Sequence, residues 1–86
     1  MIASAQISVY PLRQERLGPA IEAVRDALAS HGLAPQLGPM STIVVGEEAV
    51  IFAALGAAFA KAAAAGEVVM TVTVSNACPV AKQGVS

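Results

Sequence analysis

Tryptophan is absent from this chain of 86 residues, and histidine and cysteine occur once each. A single cysteine excludes a disulfide within the chain and fits a reducing interior, so a cytoplasmic location is expected. One histidine and one cysteine do not make the ligand set of a metal centre, and neither a metal nor a cofactor is expected. Charge is scarce as well: five basic and six acidic residues leave a net charge of −1, and only 13% of positions are charged. With no basic stripe, the electrostatic footprint of a nucleic-acid binder is missing. A soluble monomer's surface carries roughly 25–35% charged residues, so this composition points to apolar surface buried between subunits. Aromatics are 3% of the chain, and much of its 56% hydrophobic content is alanine. Alanine buries little area and a chain this short has a thin core, which again favours a homodimer or homotetramer.

Long hydrophobic runs are missing too. The alanine-rich stretch over residues 50–65 is bounded by Glu47 and Glu48 and interrupted by Lys61. It falls short of the roughly 20 residues a membrane span needs, so a helix of a soluble domain is expected. The opening Met1-Ile2-Ala3-Ser4-Ala5-Gln6 has no basic segment before an apolar run and does not read as a signal peptide. The length fits one domain, a module over residues 1–79 followed by a weakly patterned tail over 80–86.

Two apolar segments show an unusual second face. Residues 68–75 alternate, with Met70, Val72 and Val74 on one side and Thr71, Thr73 and Ser75 on the other. Residues 2–10 set Ala3, Ala5, Ile7 and Val9 against Ser4, Gln6, Ser8 and Tyr10. A period of two marks a strand with one face on a core. The opposite face carries hydroxyls, an amide and a phenol in place of Lys and Glu. Neutral hydrogen-bonding groups suit a partly dry surface that meets a ligand or another subunit.

Between these strands, Gly18-Pro19 predicts a helix start and Gly32 its end, with Leu17, Ile21, Val24 and Leu28 as the buried stripe. His31, in the last turn, is expected to act as a helix-end charge partner. Residues 34–38 read as a short irregular strand around Pro35, and Gly38-Pro39 as a turn. The β-branched run to Gly46 is a third strand over 41–46. A second helix is predicted over 47–65, its first-turn acids favouring the positive dipole end and Ile51, Phe52, Leu55, Phe59 and Ala62 forming its buried stripe. The three methionines are expected in the core. The order β-α-β-β-α-β with right-handed crossovers gives an α+β, ferredoxin-like sandwich: a four-stranded antiparallel sheet with both helices on one face. The polar faces of the first and last strands then share a helix-free surface.

The runs Ala5-Gln6-Ile7-Ser8-Val9-Tyr10-Pro11-Leu12, Met40-Ser41-Thr42 leading to Gly46-Glu47, and Val69-Met70-Thr71-Val72-Thr73-Val74-Ser75-Asn76-Ala77-Cys78-Pro79 occur in that order. Together they resemble the YkoF-like and thiamine-binding superfamily of small ferredoxin-like proteins. The resemblance implies a non-enzymatic binder of thiamine or its hydroxymethylpyrimidine moiety, assembled from paired modules. One branch carries two modules in tandem; this chain has one, which implies pairing of identical chains.

The chemistry is compatible. An aminopyrimidine presents ring-nitrogen acceptors beside an amino donor. Gln6 and Asn76 carry both kinds of group, and Ser8, Ser41, Thr42, Thr71 and Thr73 switch between them. Glu47 would balance a thiazolium cation, although a helix-start carboxylate is the simpler account of it, and Tyr10 would stack on a flat ring. Met40 belongs to the same segment. The ligand is expected against the helix-free face or its rim, near Met40, Ser41, Thr42 and Glu47. Asn76-Ala77-Cys78-Pro79 also reads as a plain turn with a small buried thiol. Two other functions compete. One is an interaction module whose polar face only joins subunits. The other is a small dimeric α+β-barrel oxidoreductase, disfavoured by the lack of tryptophan and of any acid/base pair.

Overall fold

A computed structural model describes residues 1–13 and 16–77. The elements are β1 (Ile2–Pro11), α1 (Gly18–Ser30), β2 (Gln36–Leu37), β3 (Thr42–Glu47), α2 (Glu48–Ala63) and β4 (Val68–Ser75). Each adjacent pair of strands is antiparallel, and the sheet runs β2-β3-β1-β4. This is the expected ferredoxin-like topology, with β1 and β3 inside and β2 and β4 at the edges.

Register decides which side chains share a face. Ala5 stands opposite Val44 and Val74, and Ile7 opposite Thr42 and Val72. These residues point towards the helices, where Ala5, Ile7 and Val44 are buried with Val24, Leu28, Ile51, Ala54 and Ala58. Small residues on both helices allow close approach to the sheet, so a thin core is still tightly closed.

Both helices bury most of the predicted stripe, Val24 and Leu28 of α1 and Ile51, Leu55 and Ala62 of α2, and add alanines to it. In α2 the buried residues are Ile51, Ala54, Leu55, Ala58 and Ala62. Phe52 and Phe59, expected inside, are 58% and 47% exposed. Each is one position from a buried residue, about 100° round the helix, and an alanine-rich sequence leaves that phase poorly marked. In α1 the buried set is Ala20, Val24, Ala27 and Leu28, while Leu17 is the exposed residue preceding the helix. The methionines are not core either: Met1 and Met40 are exposed and Met70 is half-buried. β2 shrinks to two residues, because Pro35 lacks a donor and the turn begins at Gly38.

Gly32 closes α1 at φ +81°, and the amide of Leu33 donates back to Leu28 at 3.1 Å. An L side chain is strained there, which accounts for glycine at the cap. Leu33 then folds under the sheet's end, where a Cβ on Gly46 would stand 2.7 Å from its Cδ2. His31 ends the same helix, its Nδ1 lying 2.9 Å from the Ala27 carbonyl.

Candidate functional site

The helix-free face is built by register. Ser4, Gln6, Ser8 and Tyr10 of β1 stand opposite Ser75, Thr73, Thr71 and Val69 of β4. The polar stripes of the two strands therefore form one surface, as the alternation predicts. β3 adds a second character to it. Ile2, Gln6 and Ser4 pair with Glu47, Ile43 and Val45, so apolar side chains flank the hydroxyls on that side. Sequence reasoning assigned no residue of β3 to a face, and the β-branched run offered no alternation from which to do so.

At one end of the sheet, β1 grips the turn between β2 and β3. Gln6 donates from Nε2 to Ser41 Oγ at 3.1 Å, and Ser8 donates from Oγ to the Met40 carbonyl at 3.1 Å. The turn closes on itself through the Gly38 amide, which donates to the Ser41 carbonyl at 2.7 Å. Beside it lies a shallow open notch of about 50 Å³, lined by Ile7, Val9 and Ile21, by Ser8, Ser41 and Thr42, and by the turn itself. Hydroxyls stand at one rim and aliphatic side chains below, a lining that offers both hydrogen bonds and apolar contact. Met40, 86% exposed, stands over the opening. Tyr10 is 46% exposed two residues beyond Ser8, on the same face.

The expected residues do not converge on one place. Thr42 is 6% exposed and shares the helix-facing side with Ile7, so it reaches the notch from below the sheet. Glu47 is paired with Ile2 at the other end of β3, about 17 Å of strand from Thr42 at roughly 3.4 Å per residue. There its Oε1 accepts a hydrogen bond from the Met1 α-amino group at 3.0 Å. That bond, and then the carboxylate's charge, hold the amino group above its ordinary pKa. Asn76 belongs to the Glu47 end too, its Nδ2 lying 3.1 Å from Met1 Sδ. The structure thus brings Ser8, Met40, Ser41 and Thr42 to the notch, sets Gln6, Tyr10, Thr71 and Thr73 on the helix-free face beside it, and places Glu47 and Asn76 at the other end of the sheet. The separation arises because β3 is extended: Thr42, beside the turn, and Glu47, five residues on, occupy opposite ends of one strand. Cys78, Pro79 and the tail over 80–86 lie outside the described residues.

Among the described residues no three of His, Cys, Asp and Glu cluster as metal ligands. No described helix is long and apolar enough to cross a membrane.

Comparison with known proteins bears on both fold and site. The family of thiamine-binding proteins matches the chain over residues 5–78. A Streptococcus pneumoniae protein of known structure superposes with a TM-score of 0.85 at 22% identity, over 98% of this chain and 96% of that one. A hypothetical protein from Methanocaldococcus jannascii gives 0.82 at 16% identity, over 91% and 82% of the two chains. A Thermotoga maritima protein, described as a candidate thiamine biosynthesis/salvage protein, gives 0.77 at 21%, over 87% and 83%. At these identities the three structures establish the fold. No curated protein matches the sequence.

Proposed function

This chain belongs to the thiamine-binding protein family, a family of small binding proteins, and from that premise we propose that it binds thiamine or its hydroxymethylpyrimidine moiety without transforming it, as a homodimer or homotetramer in the cytoplasm. The observation that carries this reading is the notch at the β2–β3 turn, where Ser8, Ser41 and Thr42 meet over Ile7, Val9 and Ile21. An aminopyrimidine ring is the part of the ligand that fits such a lining. Its ring nitrogens and amino group need donors and acceptors in fixed places, and its faces need apolar contact. The remainder of the ligand would run out past Ser8 towards Thr71 and Tyr10, whose ring offers a stacking surface to a cationic heterocycle. Gln6 acts indirectly, holding Ser41 and hence the turn.

A thermal-shift titration with thiamine, hydroxymethylpyrimidine and unrelated heterocycles tests the proposal. At 100 times its dissociation constant a bound ligand adds about 2.7 kcal/mol of stability, a clear rise in the melting temperature. A rise with either pyrimidine and none with the controls is expected. No rise with any of them would leave the polar face as a subunit surface and remove the binding role.

A further inference from the structure

The three methionines of this chain stand in three different surroundings. Met70 is half-buried, opposite Val9 and packed against the core. Met1 is engaged through its sulfur, which accepts a hydrogen bond from Asn76 Nδ2 at 3.1 Å. Met40 is 86% exposed, more than any other large apolar residue described, and its sulfur has no hydrogen-bond partner among the described residues. Its backbone, by contrast, is fixed. The Met40 carbonyl accepts from Ser8 Oγ at 3.1 Å, and Ser41 beside it is tied to Gln6 and to Gly38. An anchored backbone thus carries a free thioether at the mouth of the notch, where Met40 is part of the lining.

The notch alone is too small to enclose a ring. A cavity that holds benzene measures about 150 Å³, far more than the notch's about 50 Å³. A pyrimidine resting on Ile7, Val9 and Ile21 therefore keeps its outer face in water unless a side chain of the rim folds over it. Leu37 and Met40 are the exposed apolar side chains of that rim. Methionine is the unbranched one, with three rotatable bonds and a polarisable sulfur that packs favourably on aromatic rings. We propose that Met40 is the cover of the bound ring and also a site of reversible oxidation, so that converting its thioether to the sulfoxide loosens the ligand. This role rests on the notch taking a pyrimidine. The oxidant is a hydroperoxide. The sulfur lone pair attacks the outer peroxide oxygen, and the O–O bond breaks as the S–O bond forms. The proton on the transferred oxygen passes to the departing one, which leaves as water from hydrogen peroxide. The sulfur loses two electrons and the peroxide gains them. The product is polar and chiral, a poor cover for an apolar ring face, and methionine sulfoxide reductases reverse it. Exposure selects Met40 for this chemistry over Met70, whose sulfur lies in a half-buried side chain.

Limited treatment of the full chain with hydrogen peroxide, followed by peptide mass mapping and titration with hydroxymethylpyrimidine and thiamine, tests this. Met40 should gain one oxygen well before Met70 does. At full conversion of Met40 the affinity should fall about two- to tenfold, the worth of a sulfur–ring contact. Methionine sulfoxide reductases A and B together, one for each epimer, should restore it. Met40→Leu keeps an apolar side chain without the sulfur, so its affinity, whatever its starting level, should not respond to peroxide. The variant also keeps Cys78, so any effect of thiol oxidation shows in both proteins. Oxidation of Met70 as fast as Met40 would overturn the selectivity. An unchanged affinity once Met40 is the sulfoxide, or an equal loss in Met40→Leu, would overturn the switch while leaving the binding site in place. An untreated parent that binds neither compound would remove the binding role itself, and the switch with it.

Discussion

Thr42 and Glu47 begin and end the same strand, on opposite faces of the sheet: Thr42 opposite Ile7 and under the helices, Glu47 opposite Ile2 on the bare side. Their separation divides residues that lie close in sequence into two groups with different work. The Thr42 group adjoins the notch; the Glu47 group anchors the start of the chain.

Thr42→Val should therefore weaken binding of the pyrimidine about tenfold, since losing a hydrogen-bond partner in a buried setting costs about 1–3 kcal/mol and 1.4 kcal/mol is a factor of ten. Glu47→Gln should leave the affinities for thiamine and for hydroxymethylpyrimidine in their parent ratio. Isothermal titration of both ligands against both variants checks this. A selective loss of thiamine in Glu47→Gln would return the carboxylate to a cation-balancing role.

Gln6→Leu should act through the turn. It removes the bond to Ser41 Oγ at an exposed position, so global stability should change by less than about 1 kcal/mol. Ligand affinity should fall through a faster dissociation rate, because Ser41 is no longer held. Stopped-flow release and urea unfolding of the same variant separate the two effects.

The edge of the buried stripe of α2 makes a sharp contrast. Ile51→Ala should cost about 2–5 kcal/mol, the range for emptying a buried aliphatic site. Phe52→Ala, next to it in sequence, should change the stability of the isolated subunit by less than about 1 kcal/mol. Urea midpoints at low protein concentration, where association does not contribute, would show it.

Gly32→Ala should destabilise by about 1–2 kcal/mol, because φ +81° is strained for an L side chain even though nothing lies within 4 Å of the added Cβ. Gly32→Asn should lose less, since asparagine tolerates this conformation. Thermal unfolding of the pair is the check.

Glu47 also sets a pH dependence in the 86-residue chain. The folded-state pKa of the Met1 amino group is raised by the hydrogen bond and charge of Glu47, with Glu48 adding a smaller push. The pairing thus contributes fully below the ordinary α-amino value of about 8 and fades as pH rises through the raised folded value. The stability difference between parent and Glu47→Gln should shrink over that alkaline window. In the variant an NMR titration of the amino group should show its pKa fall towards the ordinary value, with the smaller push of Glu48 remaining.

Much of the architecture was legible because its signals are local. Alternation over residues 2–10 and 68–75, Gly18-Pro19, Gly32 and the β-branched run before Gly46 each act within a few residues, and the elements lie where those signals put them. The partnership of Gln6, Ser8, Thr71 and Thr73 followed from period and topology together. The buried stripes were legible through Val24, Leu28, Ile51, Leu55 and Ala62, but not their edges, because with alanine on most sides of α2 hydrophobicity hardly distinguishes Ile51's side from Phe52's.

The sequence by itself thus determined the kind and order of the elements, the polar face of β1 and β4, and the family resemblance. Only the tertiary structure decided that Thr42 lies beneath the sheet, that Glu47 belongs to the far end, and that two phenylalanines stand outside. Period and capping are properties of a short stretch of backbone. Register, helix rotation and the ends of a sheet are properties of two segments meeting, fixed by the packing of distant side chains that no single stretch contains.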